Sequence, residues 1–469
     1  MKKHNYKTKG IGKLDVVQLS LLLLTGCIIA FDIAKRKMVF AIADAKGTVL
    51  ELFHFTHHEE TREVVARLVD LRRAIERNVE EKHGEGAKVT CAFEPTGTYG
   101  DALVCQLRNA GFDLVSVSPK KTHDSASIFD GVPSMHDGKS AVVIAKLVSL
   151  GLGTKAPPAS EKKRDMRALV EEAQRKSRQL PPLFGHLEAL LARHWPELEE
   201  WLSVTTQKSS LKLLRQFGGP GAVAKDPQAA KTLLRAASNG ALSEEKIAGC
   251  LASAAASIGM PMTEEEQNRM KRMSGEVLAL IETKEGLEVS MLKVGKADPV
   301  FQCLMSMPGL GVLLASALTT IVDITAMHSP RALEKSCGLN LREKSSGEFK
   351  GRLSITKRGS PHVRQLMYMF ALRMIASDAV VQAWYVKRRG YTEDSKTRAV
   401  VAVMRKLLRG VFHVAKGQVF DATKLFDVRR LDVDKHNEMM AKKQEARQKK
   451  SPAKAAPSSD VRPAPLTSS

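Results

Sequence analysis

Short apolar strands alternate with helices between residues 28 and 150, and this alternation is the feature that most constrains the fold. The first three strands are separated by short polar turns, which predicts an antiparallel meander. Apolar residues three and four apart then predict a helix over 61–82. Because the later strands are joined through helices, they should extend the meander in parallel and give an α/β domain. The predicted strands cover residues 28–33, 38–43, 49–55, 89–94 and 112–118.

Carboxylates stand at the ends of two of these strands. Asp32 closes the first strand and Glu94 closes the fourth, so parallel pairing would bring them to the same edge of the sheet. Two carboxylates there repel each other unless a divalent cation lies between them, and such oxygen ligands suit Mg²⁺ or Mn²⁺. Asp137, at the start of a later apolar helix, either faces the same cleft or caps that helix. The sequence therefore predicts a metal-binding acidic cluster.

A second group of candidate catalytic residues lies in the carboxy-terminal half, where Ser345 and Ser346 precede Gly347. Between Arg342 and Arg364 there are seven Lys or Arg residues and two Glu residues. A serine hydroxyl on a tight turn can attack a phosphoryl group while nearby cations stabilise the growing charge. The alternative is a solvated basic loop.

The charge balance of the chain favours a polyanionic partner. Its 469 residues include 73 Lys and Arg against 51 Asp and Glu, a net charge of +22, and nucleic acid is the usual partner of so basic a protein. Only 5% of the residues are aromatic, which favours backbone contacts over stacking on many single-stranded bases. The six cysteines are scattered without Cys-x-x-Cys spacing, which indicates a reducing cytoplasm rather than a disulfide framework or a zinc ribbon.

The amino terminus carries a conflicting signal. Five lysines lead into an apolar run from Val16 to Ala30, and Leu24 to Cys27 matches a lipoprotein processing box, which would imply export and lipidation of Cys27. Gln18 and Ser20 interrupt the run, and cleavage before Cys27 would start the mature chain directly at a core strand. A cytoplasmic protein without a membrane span is the favoured interpretation, since spanning needs about 20 apolar residues.

Composition and periodicity divide the chain into five segments. A helical, coiled-coil-like region follows a Gly/Pro linker. It either forms an arm that dimerises or holds RNA, or it only connects the two flanking domains. The tail is rich in Lys, Ala, Pro and Ser and is predicted to be disordered. The segments are an N-terminal extension (1–27), the α/β domain (28–155), the helical region (160–295), a C-terminal domain (298–420) and the basic tail (429–469).

The stretch Met307-Pro308-Gly309-Leu310-Gly311 lies between two apolar helices. This is the pattern of a helix-hairpin-helix, in which a glycine turn presents backbone N–H groups to a DNA phosphate. The alternative is a simple turn between helices. On the first interpretation, Gly309 and Gly311 are nucleic-acid-binding positions.

Taken in order, these motifs resemble the IS110 family of transposases, whose amino-terminal domain is a RuvC-like, RNase H-like nuclease fold. The resemblance covers residues 28–150 and 298–380. It implies an α/β RuvC-like domain followed by a mainly α-helical middle and C-terminal domain. The matching stretches are Phe31 to Lys35, Phe93 to Tyr99, Pro133 to Ala145, Met307 to Gly311, Cys337 to Leu339, Ser345 to Gly347 and Ile355 to Gly359.

One position departs from the family pattern. The third motif of the family has a second Asp three residues after the first, and Ser140 occupies that position here. The resemblance therefore implies Asp32, Glu94 and Asp137 as metal ligands, with Ser140 in the fourth place as a weaker, neutral ligand. Metal affinity should fall as a result. The candidate substitutes for the missing carboxylate are Asp130 and Asp124.

The resemblance further implies serine recombination. Ser346, rather than Ser345, would attack a DNA phosphodiester, the acids would bind Mg²⁺, and a structured guide RNA would select the DNA by base pairing. The protein would act as a homo-oligomer, either a dimer or a tetramer. Two alternatives are a metal-dependent endonuclease that uses activated water and a catalytically decayed nucleic-acid binder. The predicted phosphate contacts are Arg342, Lys350, Arg352, Lys357 and Arg358.

Overall fold

The structure is a computed structural model that describes residues 6–83, 88–95, 97–156, 160–343, 351, 353–390 and 392–449. The chain divides into two compact units, residues 1–159 and 160–469. Among the described helices, no single one is both long and apolar enough to cross a bilayer, and one pair passes that test only jointly, with a bend of 106° between its two helices.

The first unit is built on a mixed sheet that has seven strands in the described part of the chain. They are β1 (Lys9–Gly10), β2 (Cys27–Asp32), β3 (Lys37–Asp44), β4 (Val49–Thr56), β5 (Val89–Phe93), β6 (Asp113–Ser116) and β7 (Thr154–Lys155). Their order across the sheet is β1-β4-β3-β2-β5-β6-β7. Strands β2, β3 and β4 pair antiparallel, and β5 and β6 continue from β2 in parallel. The predicted α/β domain with a mixed sheet is confirmed and is consistent with the RuvC-like fold that the resemblance implies.

Helices cover both faces of this sheet. They are α1 (Val16–Leu22), α2 (Thr61–His83), α3 (Asp101–Asn109), α4 (Pro119–Asp124) and α5 (Asp137–Ser149). Because side chains alternate along a strand, Ile29 and Phe31 enter the core that α1, α2 and α3 cover, while Ile28 and Ala30 enter the core that α5 covers. Asp32 has the same parity as Ile28 and Ala30, so it lies on the face of the sheet that α5 covers.

Residues 6–26, the described part of the segment that the sequence sets apart as an N-terminal extension, pack into this unit. Strand β1 pairs in parallel with β4, and Leu19 and Leu23 are buried in the core of the first face. Cys27 begins β2 and is 1% exposed, and burial raises the pKa of its thiol to about 12. In the folded unit this sulfur therefore lies inside the sheet and not at the surface.

The second unit is mainly helical. Helices α6 and α12, of 34 and 32 residues, pack against each other. The start of α6 and the end of α12 join the C-terminal core formed by α13 to α19, whereas their other halves join a middle core formed with α7 to α11, so the two helices run in opposite directions. A two-stranded ribbon completes the unit. The elements are α6 (Glu161–His194), α7 (Leu198–Trp201), α8 (Lys208–Phe217), α9 (Pro220–Lys225), α10 (Pro227–Ala237), α11 (Glu244–Ala255), α12 (Glu264–Gly295), α13 (Pro299–Met305), α14 (Val312–Thr320), α15 (Pro330–Ser336), β8 (Leu341–Arg342), β9 (Ser354–Ile355), α16 (Pro361–Ser377), α17 (Ala379–Arg388), α18 (Glu393–Ala415), α19 (Ala422–Leu425) and α20 (Val433–Lys449).

Helix α20 corrects the prediction of a disordered tail from residue 429. It packs on α17, where His436 is 9% exposed and its Nδ1 lies 3.2 Å from Oε1 of Gln382. The Met, Lys, Gln, Glu and Ala residues of this stretch are good helix formers, and the buried contact holds the helix on its neighbour. The prediction was therefore wrong for residues 433–449, and residues 450–469 lie outside the described residues.

Candidate active site

Sheet pairing brings two predicted metal ligands to one edge of the sheet. Strands β2 and β5 are parallel neighbours, and Phe31 lies opposite Phe93 in their register. Asp32, the last residue of β2, and Glu94, the residue after β5, therefore lie side by side at this edge, and both are half-buried. This is the arrangement that the sequence predicts for these strand ends.

Asp137 is the first residue of α5 and is exposed. The helix is capped by His136 instead, whose Nδ1 accepts a hydrogen bond from the backbone N–H of Lys139 at 3.3 Å. Ser140 is half-buried, and its backbone N–H donates to the carbonyl of His136 at 2.9 Å. Asp137 thus lies in the first turn of α5 without serving as its N-cap residue.

The charge state of Asp32 reflects its acidic neighbours. Burial, followed by the negative charges of Asp137 and Glu94, raises the pKa of Asp32 to about 7, whereas an ordinary aspartate titrates at 3.8. The charges of both other predicted ligands therefore act on Asp32. A divalent cation would relieve this repulsion by favouring the charged carboxylates.

The donor set fits a hard divalent cation in charge and in chemistry, because carboxylate oxygens are the ligands that Mg²⁺ and Mn²⁺ prefer. Within the described residues, however, no three His, Cys, Asp or Glu side chains lie close enough together to hold a metal ion. Asp32, Glu94 and Asp137 are thus electrostatic neighbours rather than a closed coordination shell. At the fourth position, Ser140 offers only a neutral oxygen.

A buried ion pair supports the start of α5. Lys139 is 2% exposed, and its Nζ donates to Oδ1 of Asp130 at 2.8 Å and to the carbonyl of Val132. The hydroxyl of Tyr6 donates to Oδ2 of the same carboxylate at 2.7 Å. The hydrogen bond from Lys139 is the main reason why the pKa of Asp130 lies below its usual range. Asp130 is committed to this network and is not available as the substitute ligand considered from the sequence.

The other candidate substitute is also engaged elsewhere. Asp124 is exposed on α4 and forms an ion pair with Lys120 at 3.1 Å. Sequence reasoning missed both Lys139 and Tyr6, because Tyr6 and its acidic partner are 124 residues apart. The single local signal was a lysine just before the apolar run of α5.

The segment that contains Ser345 and Ser346, residues 343–353, connects the two strands of the ribbon and is called the serine segment. Strands β8 and β9 pair antiparallel, and an isolated bridge between Cys337 and Gly359 follows at the base of the ribbon. The described residues thus include Glu343, which follows β8, and Leu353, which precedes β9. Outside the described residues lie Ser345, Ser346, Lys350 and Arg352.

Arg364 of α16 closes the base of the ribbon. Its Nη1 donates to the carbonyl of Cys337 at 3.2 Å and to that of Lys357 at 3.4 Å. The side chains of Arg342, Lys357 and Arg358 are exposed. Three of the predicted phosphate contacts are thus exposed cations of the ribbon, whereas Arg364 holds the backbone.

The glycine turn predicted as a helix-hairpin-helix connects α13 to α14. Gly309 has φ +73°, a backbone conformation that favours glycine, and it is exposed. Met307 and Leu310 are buried beneath the turn. A Cβ at Gly311 would lie 3.2 Å from Nη1 of Arg373, an exposed cation that sequence reasoning missed. The turn between two helices is present, while its contact with nucleic acid stays a prediction.

Two family models match the chain. A model of IS110-type DEDD transposases, described as Transposase, matches residues 29–196. A second model, described as Transposase IS116/IS110/IS902 family, matches residues 301–386. The two matches stand in the order in which the motifs occur.

Two relatives match over shorter stretches. The "Insertion element IS110 uncharacterized 43.6 kDa protein" of Streptomyces coelicolor is 24% identical over 149 residues, which cover 32% of this chain and 36% of that protein. The "Transposase for insertion sequence element IS1111A" of Coxiella burnetii is 33% identical over 150 residues, which cover 29% of this chain and 40% of that protein. The chain thus spans less than half the length of each relative. Together with the two family models, these matches show that the chain belongs to the IS110 family of transposases.

Proposed function

We propose that this protein is an insertion-sequence transposase that cuts and joins DNA through Ser346. The observation that carries the proposal is the electrostatic coupling of Asp32, Glu94 and Asp137 at one edge of the sheet, in a chain of the IS110 family. A carboxylate that titrates near neutral pH between two other acids is typical of functional sites. The net charge of +22 supplies affinity for the DNA backbone.

The proposed reaction is a transesterification at phosphorus. The hydroxyl oxygen of Ser346 forms a bond to the phosphorus of a DNA phosphodiester, and the bond from phosphorus to one deoxyribose oxygen breaks. The serine proton ends on that leaving oxygen, and the cut strand stays attached to the protein as a phosphoserine diester. Reversal with a different hydroxyl joins the strand to a new partner. The cations proposed to stabilise charge on the phosphate oxygens are Arg342, Lys350, Arg352, Lys357 and Arg358.

We propose that Asp32, Glu94 and Asp137 hold Mg²⁺ or Mn²⁺, with Ser140 as a weak fourth ligand. When bound, such a cation neutralises phosphate charge and lowers the pKa of a coordinated hydroxyl. Without a cation the pKa of Asp32 is about 7, so cation binding near neutral pH should release the proton that this carboxyl group holds.

A structured RNA is proposed to select the DNA by base pairing, as the family resemblance implies. We also propose a homo-oligomer, a dimer or a tetramer, because one serine can hold one strand while exchange between two duplexes requires several strands to be held. The six cysteines are free thiols, which fits action in a reducing cytoplasm.

The test is a covalent protein–DNA adduct. The tagged protein is isolated from its own cells with its bound RNA and incubated with Mg²⁺ and labelled element-end DNA. We expect a denaturation-resistant labelled adduct for the wild type and for Ser345→Ala, and none for Ser346→Ala. Ser345→Ala is the matched control because it removes the same hydroxyl from the adjacent residue.

The same assay separates the two alternative functions. Cleavage without an adduct, unchanged in Ser346→Ala, would identify a metal-dependent endonuclease that uses water. Binding without cleavage, with cleavage restored by Ser140→Asp, would identify a decayed transposase, and the neutral side chain at position 140 is the observation that favours this alternative.

A further inference from the structure

We infer that a cation cluster on α17 and α18 is a further binding site for the phosphodiester backbone of a nucleic acid. The cluster consists of Lys387, Arg388, Lys406 and Arg409 around Trp384. Its four cations follow residue 386, where the match to the second family model ends, and they are not among the contacts predicted from the sequence. The choice of a nucleic acid as the ligand rests on the proposed function.

Lys406 lies at the centre of the cluster. Its Nζ donates to the carbonyl of Leu425 at 2.7 Å and stands 5.4 Å from the ring centroid of Trp384. Cζ of Arg388 lies 5.1 Å from the centroid of the same ring. Burial, followed by the positive charges of Arg409 and Arg388, lowers the pKa of Lys406. The cations are therefore close enough to repel one another, and a bound anion would relieve that repulsion.

A buried carboxylate orients one side of the cluster. Glu334 is 4% exposed and accepts hydrogen bonds from Arg405 at 3.0 Å and from Arg409 at 2.9 Å. One negative charge is thus shared by two guanidinium groups. The side chain of Arg409 is still 50% exposed, so donors of its guanidinium group can reach a ligand.

The surface beside Trp384 is open to a ligand. A cavity of about 280 Å³ lies there, bordered by Lys387, Arg388, Asp427 and Leu431. The carboxylate of Asp427 forms an ion pair with Arg429 at 3.0 Å. Its negative charge also acts on Lys406, where it opposes the effect of Arg409 and Arg388 on the pKa.

The arrangement of the cations favours a polyanion with repeated charges over a single phosphate. Lys406 and Arg409 stand on adjacent turns of α18, about 5 Å apart along the helix axis, while Lys387 and Arg388 come from α17. Positive charge is thus spread across two helices. Lysine and arginine side chains on such a surface contact phosphates without reading bases, so we expect binding that depends on salt and not on sequence.

The test measures affinity for a DNA duplex and for a structured RNA by fluorescence anisotropy over a series of salt concentrations. The test variant is the double substitution Lys387→Gln and Arg388→Gln, and the charge-retaining variant is Lys387→Arg with Arg388→Lys. Both positions are exposed. The matched control replaces two exposed lysines of the middle core's helices, Lys225→Gln and Lys246→Gln, and loses the same charge.

We expect the slope of log K against log salt to fall by about two in the test variant, one for each lost phosphate contact. If the test variant and the wild type bind equally well at 1 M salt, this change in slope makes the variant bind about 30-fold more weakly than the wild type at 0.15 M salt. The charge-retaining variant and the control should keep the wild-type slope. A loss confined to DNA or to RNA would support the site and identify its ligand.

Two results would overturn the inference and are distinguishable. A wild-type protein that binds neither DNA nor RNA overturns the proposed function and this site with it. A wild-type protein that binds, with the test variant weakened no more than the control, overturns the site alone because only net charge then matters. Recovery in the charge-retaining variant excludes a folding defect as the cause of a loss.

Discussion

Neutralising Asp32 should stabilise the first unit at alkaline pH and leave it unchanged at acid pH. In cation-free buffer the pKa of this residue is about 7 in the folded protein, against 3.8 for an ordinary aspartate. The folded state therefore holds this proton more tightly than the unfolded state. The stability that the proton contributes is fully present below about pH 4 and is lost as the pH rises to about 7. Asp32→Asn removes the charged form and its cost.

The size of the effect follows from the two pKa values. At about 1.4 kcal/mol for each pH unit, the interval between 3.8 and about 7 corresponds to at most ~4 kcal/mol. Solvent screens a half-buried carboxylate, which reduces the expected gain to ~2 kcal/mol. We expect Asp32→Asn to raise the free energy of opening of the first unit by ~2 kcal/mol at pH 8 and by about zero at pH 4.

The assay is hydrogen–deuterium exchange of the amides in β2 and β5, corrected for the intrinsic effect of pH. All three tryptophans, Trp195, Trp201 and Trp384, belong to the second unit, so a melt followed by tryptophan fluorescence is an internal control and should not change. Added Mg²⁺ should raise the protection of the wild-type amides at pH 8, because the cation favours the charged carboxylate of Asp32. An equal gain at both pH values, or no gain at pH 8, would refute the electrostatic coupling of the three acids.

Three further perturbations test other parts of the structure. Ser140→Asp should tighten Mn²⁺ binding about tenfold, measured by calorimetry, because a carboxylate replaces a neutral oxygen. The control Ser134→Asp, at an exposed position, should leave the affinity unchanged. Equal Mn²⁺ affinities of Ser140→Asp and the wild type would show that residue 140 is not a ligand. Gly359→Ala should cost ~1–3 kcal/mol in a fluorescence melt and abolish the DNA adduct, because its Cβ would lie 2.2 Å from the carbonyl oxygen of Ser336; an adduct at the wild-type level would show that the base of the ribbon does not matter. Lys139→Met should lower hydrogen-exchange protection of α5, because it leaves a carboxylate without its buried partner, whereas unchanged protection would mean that the ion pair does not support the helix.

The acidic edge of the sheet was accessible to sequence reasoning because its signals are local. Asp32 and Glu94 each stand at the end of a short apolar strand, and the alternation of strands with helices implies that these two strands are parallel. The register of these strands then places the two carboxylates together. No contact distant in sequence was needed for this part of the prediction.

The supports of the site were not accessible in the same way. The contact of Tyr6 with Asp130 joins residues 124 positions apart, and neither residue type indicates burial. The short strand β1 carries too few residues to show strand periodicity. Helix α20 was assigned to a disordered tail because its composition is polar and charged, and only the buried contact of His436 reveals that it docks. Long-range packing decided each of these features.

The central claim is that Ser346 forms a covalent bond with DNA, and mapping the attached residue tests it most directly. The adduct is digested with nuclease and trypsin, and trypsin should release residues 345–350, Ser-Ser-Gly-Glu-Phe-Lys, because Lys344 precedes this peptide and Lys350 ends it. Our account predicts a nucleotide on this peptide, with fragmentation placing it on Ser346. A nucleotide on any other residue, or cut DNA with no modified peptide, would contradict the account.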